Sequence, residues 1–487
     1  MSRDRGALAL LLHSHMPYVE GFGTWPFGEE WLWEAVACVY LPLIDMLGEV
    51  QAPLTVGVTP VLCDQLETLP GPSGDRLLGF LENTRRAIHA EDSAGLDRTG
   101  QPELAAEVRR AAGDYESAVQ ALEHRDLIAA LAELERDSSV ELWTSAATHA
   151  VLPLLASDAG LTLQLATGIA SHERRFGAWS GGLWLPECAY APGLERSLAD
   201  HGVKTVCVDQ TAALGHGSLD QLEPGLTSAG VVAVPVDWQT VELVWNDRSG
   251  YPVHPTYRDY HRRTVHDLRP WNNAGGVYDP EAALALAREH ARDFAGRCAE
   301  RLDAYTAERG RAGLLTCALD TELLGHWWYE GQVWLRCVVE EAAALGLELV
   351  TVTEGVERAA PVERGLEAST WGAGKGFTTW DSPLVSDTAF EARRAELRTV
   401  AAAARRHEPH EALERAAREL LALQASDWAF QLTRDLAADY PLERVRAHAA
   451  AHDAAISALA DSASVASPDP ALRNLAPDLD LASLVAP

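Results

Sequence analysis

The chain has 487 residues, enough for one large α/β domain and a smaller one, and its formal net charge is −31 with only two lysines, Lys204 and Lys375. The strong negative charge and the scarcity of lysine argue against nucleic acid and an anionic membrane surface as partners. Its seven cysteines form no Cys-x-x-Cys pair, which favours free thiols and a cytoplasmic location. We expect no signal peptide, no transmembrane segment, and a monomer or weak homo-oligomer.

Short apolar runs alternate with helical segments along most of the chain. The predicted strands are Leu8–Leu12, Leu54–Thr59, Val140–Trp143, Leu183–Leu185, Thr205–Val208, Val231–Val236, Leu314–Leu319 and Leu349–Val352. Between them we predict periodic helices such as Leu104–Leu134 and Pro280–Ala307. Strands that alternate with helices predict an α/β fold with a largely parallel sheet, closed or open.

The composition changes after about residue 385. Residues 386–460 are rich in Ala, Arg, Glu and Leu, with helical spacing and no strand pattern. We therefore predict a catalytic domain over residues 1–385 and a helical C-terminal domain over residues 386–460. Residues 461–487 are rich in Ala, Ser, Pro and Asp, and are expected to form a partly disordered tail.

Two strand-like runs, Gly-Gly-Leu-Trp-Leu-Pro-Glu and Gly-Leu-Leu-Thr-Cys-Ala-Leu-Asp, each end on a carboxylate, at Glu187 and at Asp320. The carboxyl ends of strands are where barrel and open α/β enzymes keep their chemistry. Each residue alone has a structural alternative, a solvated loop glutamate or a helix-capping aspartate. The tryptophans beside them, Trp184, Trp327 and Trp328, favour two carboxyl groups that act on a sugar. A retaining glycosidase needs such groups about 5–5.5 Å apart.

Three histidines follow strands. His13 and His15 are two residues apart at the end of the first strand and so point to the same side, and His149 follows another strand. A metal-dependent amidohydrolase with Asp320 as a further ligand is the competing hypothesis. Because no second His-x-His occurs, we favour a metal-free role in hydrogen bonding to sugar hydroxyls, with no cofactor. Each histidine taken singly could also be structural.

Tryptophan is abundant, with 15 residues, and indole faces stack on the apolar faces of pyranose rings. Trp33, Trp143 and Trp334 fall within strand or helix patterns and are predicted to be core. The Gly-rich segment 371–380 lacks the Gly-Lys-Ser/Thr ending of a phosphate loop. The segment 246–260 contains three tyrosines, two prolines and a glycine, which predicts either a lid or an ordinary surface connection.

Five ordered segments resemble glycoside hydrolase family 57, and within it the 1,4-α-glucan branching enzymes. They are His-Ser-His-Met-Pro-Tyr (13–18), Trp-Pro-Phe-Gly-Glu-Glu-Trp-Leu (25–32), Trp-Leu-Pro-Glu-Cys-Ala-Tyr (184–190), Ala-Leu-Asp-Thr-Glu-Leu-Leu-Gly-His-Trp-Trp (318–328) and Thr-Val-Thr-Glu (351–354). The resemblance runs from about residue 6 to about residue 455. It implies an incomplete (β/α)7 barrel with inserted helices, followed by a helical domain.

The resemblance also implies a reaction on α-glucans by retaining double displacement without a metal. Glu187 matches the nucleophile, Asp320 matches the general acid/base, and Tyr251 matches a loop tyrosine associated with transfer over hydrolysis. The substrate-binding residues it implies, together with those that the motifs indicate, are His13, His15, Trp25, His149, Trp184, Tyr251, Trp271, His326, Trp371 and Trp380.

Two departures from the family pattern bear on acceptor binding and chain-length preference. The segment after Trp380 lacks further tryptophans, and the spacer between Trp271 and Tyr278 is short. The alternatives that stay open are an α-amylase or a 4-α-glucanotransferase of the same family. More distant alternatives are the metal amidohydrolase and an inactive glycan-binding protein, which the presence of both carboxylates disfavours.

Overall fold

The structure, a computed structural model, describes residues 5–137, 139–405, 410–461, 464–465 and 473–484. Within them the strands are β1 (Gly6–Ser14), β2 (Thr55–Val58), β3 (Glu141–Ser145), β4 (Gly182–Trp184), β5 (Thr205–Val208), β6 (Gly225–Leu226), β7 (Val232–Pro235), β8 (Gly313–Asp320), β9 (Glu348–Val350) and β10 (Val362–Glu363). The α-helices are α1 (Glu29–Ala35), α2 (Leu41–Val50), α3 (Pro60–Leu66), α4 (Pro72–Gly79), α5 (Arg86–Arg98), α6 (Pro102–Leu122), α7 (Leu127–Asp137), α8 (Asp158–Phe176), α9 (Leu194–Asp200), α10 (Thr211–Leu214), α11 (Trp238–Trp245), α12 (Pro280–Arg309), α13 (Gly331–Ala344), α14 (Val352–Ala359), α15 (Ser386–Ala403), α16 (Glu411–Leu423), α17 (Ser426–Thr433) and α18 (Tyr440–Asp461).

Seven of the described strands form one parallel succession, in the order β7-β5-β4-β3-β2-β1-β8, and β9 also pairs with β1. The short strand β6 is antiparallel to β7 and parallel to β10. The succession curls, since Asp237, just after β7, donates its backbone N–H to the carbonyl of Thr316 in β8 at 2.8 Å. The two ends of the sheet therefore approach one another, as the predicted incomplete barrel requires.

Strand β1 is central to the site. All nine of its residues are buried, as expected for a strand covered on both faces. The register places His13 beside Gly57 of β2 and beside Asp320 of β8. Because these strands are parallel, their carboxyl ends share one edge of the sheet, and the predicted site residues of β1 and β8 meet there.

The eight strands predicted from the sequence are all observed, with ends that differ by no more than two residues. The single helix predicted over Leu104–Leu134 is wrong, because the chain forms α6 and α7 there with a break between them. Asp126 in that break accepts a hydrogen bond from the backbone N–H of Ala129 at 3.0 Å and so starts a new helix. The two-residue strands β6 and β10 are too short to leave a pattern in the sequence.

Helices α15 to α18 form the predicted helical C-terminal region, and buried side chains such as Leu420 and Trp428 share one apolar cluster with Leu163 of α8. Ala425 forms an antiparallel bridge with Ala150, and the backbone N–H of Ser426 donates to the carbonyl of His149 at 3.2 Å. The start of α17 is therefore attached to the barrel at the edge where the strands end.

Part of the predicted tail is packed. The backbone N–H of Ala476 donates to Asp64 Oδ2 at 2.7 Å, and Leu484 is buried. Residues 462–463, 466–472 and 485–487 lie outside the described residues, so the expectation of disorder there stays a prediction.

No membrane-spanning segment is predicted from the sequence, yet the helical stretch Glu29–Val50 has the length and apolar composition to cross a membrane. This is weak evidence, because 72% of its apolar window is buried inside the protein, as in a core helix. Trp33 within this stretch is buried, as are Trp143 and Trp334, which confirms their prediction as core residues.

Candidate active site

Glu187 lies just after β4, on a single 3₁₀ turn over Pro186–Cys188. Its backbone is left-handed, with φ 61°, a conformation that costs energy for a non-glycine residue and that concentrates at functional sites. The side chain is only 12% exposed. The carboxyl group of Glu187 is therefore held in an enclosed site.

The Gly-rich segment near Trp371 is hydrogen-bonded to this turn. Tyr190 and Ser369 exchange both backbone hydrogen bonds at 2.9 Å, and the backbone N–H of Trp371 donates to the carbonyl of Glu187 at 2.9 Å. With the two backbones joined, the Trp371 indole N–H donates to Glu187 Oε2 at 2.8 Å. A charge-assisted hydrogen bond of this kind orients a carboxylate and favours its ionised form.

The other carboxylate oxygen of Glu187, Oε1, is the end of a chain of hydrogen bonds through Ser426 and His149 to His13, called the relay below. Ser426 Oγ donates to Glu187 Oε1 at 2.8 Å, so its oxygen is left to accept from His149 Nδ1 at 2.9 Å. His149 Nε2 must then accept from His13 Nε2 at 3.0 Å. An ionised Glu187 thus fixes the tautomers of both neutral histidines, and His13 Nδ1 is left buried without a partner in the described structure.

The histidine rings form a stack. The His13 ring lies 4.7 Å from the Trp184 ring, and the His15 ring lies 4.0 Å from the His149 ring. Burial, together with the neighbouring histidines, lowers the pKa of His13 and of His149 well below the usual value. Both are neutral at physiological pH, in agreement with the tautomers that the relay requires.

His15, unlike His13 and His149, lies among carboxylates. Its Nε2 lies 3.0 Å from Asp427 Oδ2, its Nδ1 lies 3.1 Å from Thr59 Oγ1, and its backbone N–H donates to Glu322 Oε1 at 3.1 Å. Burial alone would lower the pKa of His15, but the carboxylates of Asp427, Glu322 and Glu187 raise it above the usual value. The raised pKa favours the protonated form of His15, whose positive charge then lies beside Glu187.

Asp320 is the last residue of β8. Its side chain caps no helix, which removes the capping alternative. Burial first, and then the charges of Glu322 and Glu187, raise the pKa of Asp320 well above the usual value. Glu322 is itself buried, which raises its pKa to about 7, although it accepts a hydrogen bond from Tyr40 at 2.5 Å. The protonated form of Asp320 is therefore favoured, and the charge of Glu187 contributes to the rise in the pKa of Asp320.

The two carboxyl groups differ in a way that suits two chemical roles. Burial raises the pKa of Glu187 as well, but hydrogen bonds from Trp371 and Ser426 and the charge of His15 oppose the rise. Within the described residues, Asp320 has no comparable donor to stabilise its anion. Glu187 is the easier of the two to ionise, and Asp320 the better proton donor.

Several predicted site residues lie together. His13, His15, His149, Trp184, Trp371 and Glu187 are linked by the contacts above, and Asp320 is beside His13 in the sheet. Trp184 is fully buried, and its ring contacts the rings of His13, at 4.7 Å, and of Trp371, at 5.0 Å. Its predicted contact with substrate stays a prediction.

Other predicted residues lie apart from this cluster. Trp25 is 73% exposed, and Trp271 is buried with the Arg262 guanidinium 4.4 Å above its ring. Trp380 is the exception, since it is buried behind Gly372 in an apolar cluster against which Trp371 packs. Tyr251 is directed at helix α12, where its hydroxyl donates to Asp293 at 2.7 Å. Their roles in substrate binding stay predictions.

His326 borders a cavity of about 470 Å³ whose lining also includes Trp327 and Tyr260. Neither Glu187 nor Asp320 lines this cavity. His326 contacts both aromatic rings edge-on, at 5.8 Å from Tyr260 and 6.0 Å from Trp327. The cavity has the size of a ligand pocket, and the predicted role of His326 in substrate binding is not tested by this position.

Sequence reasoning missed Ser426, Asp427 and Glu322. Ser426 and Asp427 open helix α17 and reach Glu187 and His15 across 239 and 412 positions of the chain. A Ser-Asp pair at a helix start has the pattern of an ordinary helix cap, so no local signal marks it. Glu322 follows Asp320 by two residues, and this spacing was the available clue.

His15, His149 and Asp427 could together hold a metal ion, since one ligand atom from each lies within 4.8 Å of the others. The nitrogens of both histidines already have partners: His15 contacts Asp427 and Thr59, and His149 contacts His13 and Ser426. A cation here would have to replace some of these hydrogen bonds. A buried network that already satisfies most of its polar groups does not require a metal to explain it.

The sequence comparisons agree with this geometry. Residues 9–365 match the profile of Glycosyl hydrolase family 57, and residues 390–476 match the profile described as 1,4-alpha-glucan branching enzyme, C-terminal. The first match covers well over half of the chain. The protein is therefore a member of glycosyl hydrolase family 57, which confirms the resemblance in its motifs.

Two sequence relatives and one solved structure are similar to most of the chain. The chain is 32% identical over 495 residues to the 1,4-alpha-glucan branching enzyme TK1436 of Thermococcus kodakarensis, covering 91% of this chain and 72% of the relative. It is 32% identical over 491 residues to the probable 1,4-alpha-glucan branching enzyme Rv3031 of Mycobacterium tuberculosis, covering 92% and 90%. The crystal structure of a GH57-type branching enzyme from Pyrococcus horikoshii superposes with a TM-score of 0.90 at 29% identity, covering 99% and 97%. The predicted fold is confirmed.

Proposed function

We propose that the chain is a 1,4-α-glucan branching enzyme, which cleaves an α-1,4 linkage and transfers the released segment to a sugar 6-hydroxyl. Its relatives of that name match along nearly the whole chain, and its C-terminal region matches the branching-enzyme profile. The observation that carries the proposal is the start of α17 in that region, because Ser426 and Asp427 there contact Glu187 and His15 of the barrel.

The proposed mechanism assigns Glu187 as nucleophile and Asp320 as general acid/base. Asp320 protonates the leaving glycosidic oxygen while Glu187 attacks the anomeric carbon, which gives a covalent glycosyl-enzyme. The acceptor hydroxyl then loses its proton to Asp320 as it displaces Glu187. The two hydrogen bonds to Glu187 and the raised pKa of Asp320 support these roles, because the first must begin ionised and the second protonated.

Transfer rather than hydrolysis requires that a sugar hydroxyl, not water, meets the glycosyl-enzyme. The enclosed position of Glu187 and the indole of Trp371 against its carboxylate support such exclusion of water. The nearest alternatives are an α-amylase or a 4-α-glucanotransferase of the same family. These alternatives differ from the branching enzyme in the acceptor, not in the two carboxyl groups.

Amylose as substrate separates these activities. We expect iodine staining to fall without a matching rise in reducing ends, and debranching of the product to release short chains. A matching rise in reducing ends indicates an amylase, and transfer without debranchable linkages indicates a 4-α-glucanotransferase. Either result overturns the proposal. Full activity after exhaustive chelation is expected and tests the predicted independence from a metal.

We propose further that the physiological product is a glycogen-type storage glucan made in the cytoplasm by a monomer or weak homo-oligomer that does not associate with membranes. Seven free cysteines and the scarcity of lysine support this setting. Cell fractionation and light scattering test location and assembly. A membrane-bound fraction or a stable oligomer would contradict the proposal.

A further inference from the structure

Lys375 is one of only two lysines in the chain, and it lies in the Gly-rich segment between Trp371 and Trp380. Its side chain is 17% exposed. Its Nζ donates to Asp209 Oδ2 at 2.6 Å and lies 3.1 Å from the centroid of the Trp238 ring. A buried ammonium group requires such partners, because removal from water alone is costly.

The groups that hold Lys375 belong to the frame of the barrel. Asp209 follows β5 directly and is fully buried, and its other oxygen accepts from the backbone N–H of Thr211 at 2.9 Å. Trp238 is the first residue of α11, after β7. Lys375 therefore ties the Gly-rich segment to the ends of two strands, by an ion pair and by a cation–π contact.

Lys375 and Trp371 are joined within one closed turn. The carbonyl of Lys375 accepts from the backbone N–H of Thr370 at 3.1 Å, and the Lys375 N–H donates to the carbonyl of Gly372 at 3.0 Å. The Thr370 hydroxyl also donates to the carbonyl of Gly376 at 2.7 Å. Residues 370–376 are thus crosslinked by their own hydrogen bonds, and a displacement of Lys375 is passed on to Trp371.

We propose that Lys375 is a positioning residue for Glu187. Its ammonium group, held between the Asp209 carboxylate and the Trp238 ring, fixes the turn 370–376 so that the Trp371 indole N–H stays on Glu187 Oε2. This inference rests on the proposed role of Glu187 as nucleophile. The side chain of Gln210, bonded to Glu367 and Ser369, anchors the segment before the turn independently, so the fold does not depend on Lys375 alone.

Lys375→Met tests the proposal, with Lys204→Met as its matched control. Methionine keeps the approximate length of the side chain and removes the charge. Lys204 is an exposed lysine just before β5, and among the described contacts none joins it to residues 370–376. The readout is the pH dependence of kcat/KM on a soluble maltooligosaccharide. Loss of the indole hydrogen bond raises the pKa of Glu187, so we expect the acid limb to move up by about half to one pH unit in Lys375→Met. Lys204→Met should leave it unchanged.

A double-mutant cycle separates positioning from general stabilisation. In a Trp371→Phe background the indole N–H is already absent, so Lys375→Met should move the acid limb by little more. His15, His149, Asp427 and Asp320 also face Glu187 and remain in every variant. The proposal is overturned if a folded Lys375→Met keeps the acid limb of the wild type. It is also overturned if the acid limb of the double variant moves by the sum of the two single-variant shifts.

Asp209→Asn provides a second approach should Lys375→Met fail to fold. It removes the charge partner of Lys375 and keeps an amide oxygen as acceptor, so the same upward shift is expected, and a folded variant with an unshifted limb overturns the proposal. Glu187→Gln distinguishes a failure of the proposed role of Glu187 as nucleophile from a failure of the proposed positioning role of Lys375. If Glu187→Gln stays active, the proposed mechanism fails; if it is inactive while Lys375 and Trp371 act additively, only the positioning role fails.

Discussion

The hydrogen bond from Trp371 to Glu187 offers a quantitative test of the active site. Trp371→Phe keeps an aromatic ring next to Trp184 and removes the indole N–H that lies 2.8 Å from Glu187 Oε2. Hydrogen bonds to charged groups contribute about 1.5–3 kcal/mol, and one pKa unit corresponds to about 1.4 kcal/mol. Ser426 still donates to the other oxygen, and the new cavity can admit water. We therefore take the lower end of the range and expect the pKa of Glu187 to rise by about one unit.

The assay for this prediction is the pH profile of kcat/KM. Because Glu187 must be ionised to attack, a higher pKa moves the acid limb upward, and at a pH below the limb the rate falls about tenfold while the plateau changes less. Trp334→Phe is the control, because the Trp334 indole nitrogen is buried in α13 without a partner in the described structure. An acid limb that stays in place in a folded Trp371→Phe refutes the assigned role of this hydrogen bond.

The remaining predictions concern the carboxyl groups, the charged histidine and the loop tyrosine. Glu187→Gln and Asp320→Asn should each lower kcat on amylose by more than about a thousandfold at unchanged Tm, and a smaller loss in either would contradict its role. Asp427→Asn should destabilise the protein more at pH 5.5 than at pH 8.5 in urea titrations. The raised pKa of His15 makes a stabilising contribution that is present below the unfolded-state pKa and lost as pH rises through the folded-state value, so an equal loss at both pH values would contradict the ion pair. Tyr251→Ala should raise hydrolysis relative to branching, whereas Tyr251→Phe, which removes only the hydroxyl bonded to Asp293, should not. Equal ratios in wild type and Tyr251→Ala would exclude the lid role.

The barrel strands could be predicted because each buried strand is a continuous apolar run in the sequence. β1 is the clearest example, with Leu-Ala-Leu-Leu-Leu before His13 and all nine residues buried. Glu187 and Asp320 could be located for the same reason, since each ends such a run. The break between α6 and α7 was missed because it depends on Asp126 capping a new helix inside a continuous helical pattern.

The partners of the proposed catalytic groups could not be predicted from local patterns. Ser426 is 239 positions from Glu187, and the hydrogen bond between them exists only because the C-terminal helices pack on the barrel. Lys375 was visible only as a residue of a Gly-rich segment, and its contact with Asp209 spans 166 positions. Such contacts depend on the tertiary fold, not on periodicity or motif spacing.

Capture of the glycosyl-enzyme tests the central claim most directly. In Asp320→Asn, a maltosyl fluoride donor needs no protonation of its leaving group, so glycosylation proceeds while the second step, which needs a base, is slow. The account predicts that mass spectrometry of the digested protein finds the sugar on the peptide that contains Glu187. A sugar on another residue, or turnover of the donor with inversion and no adduct, would contradict it.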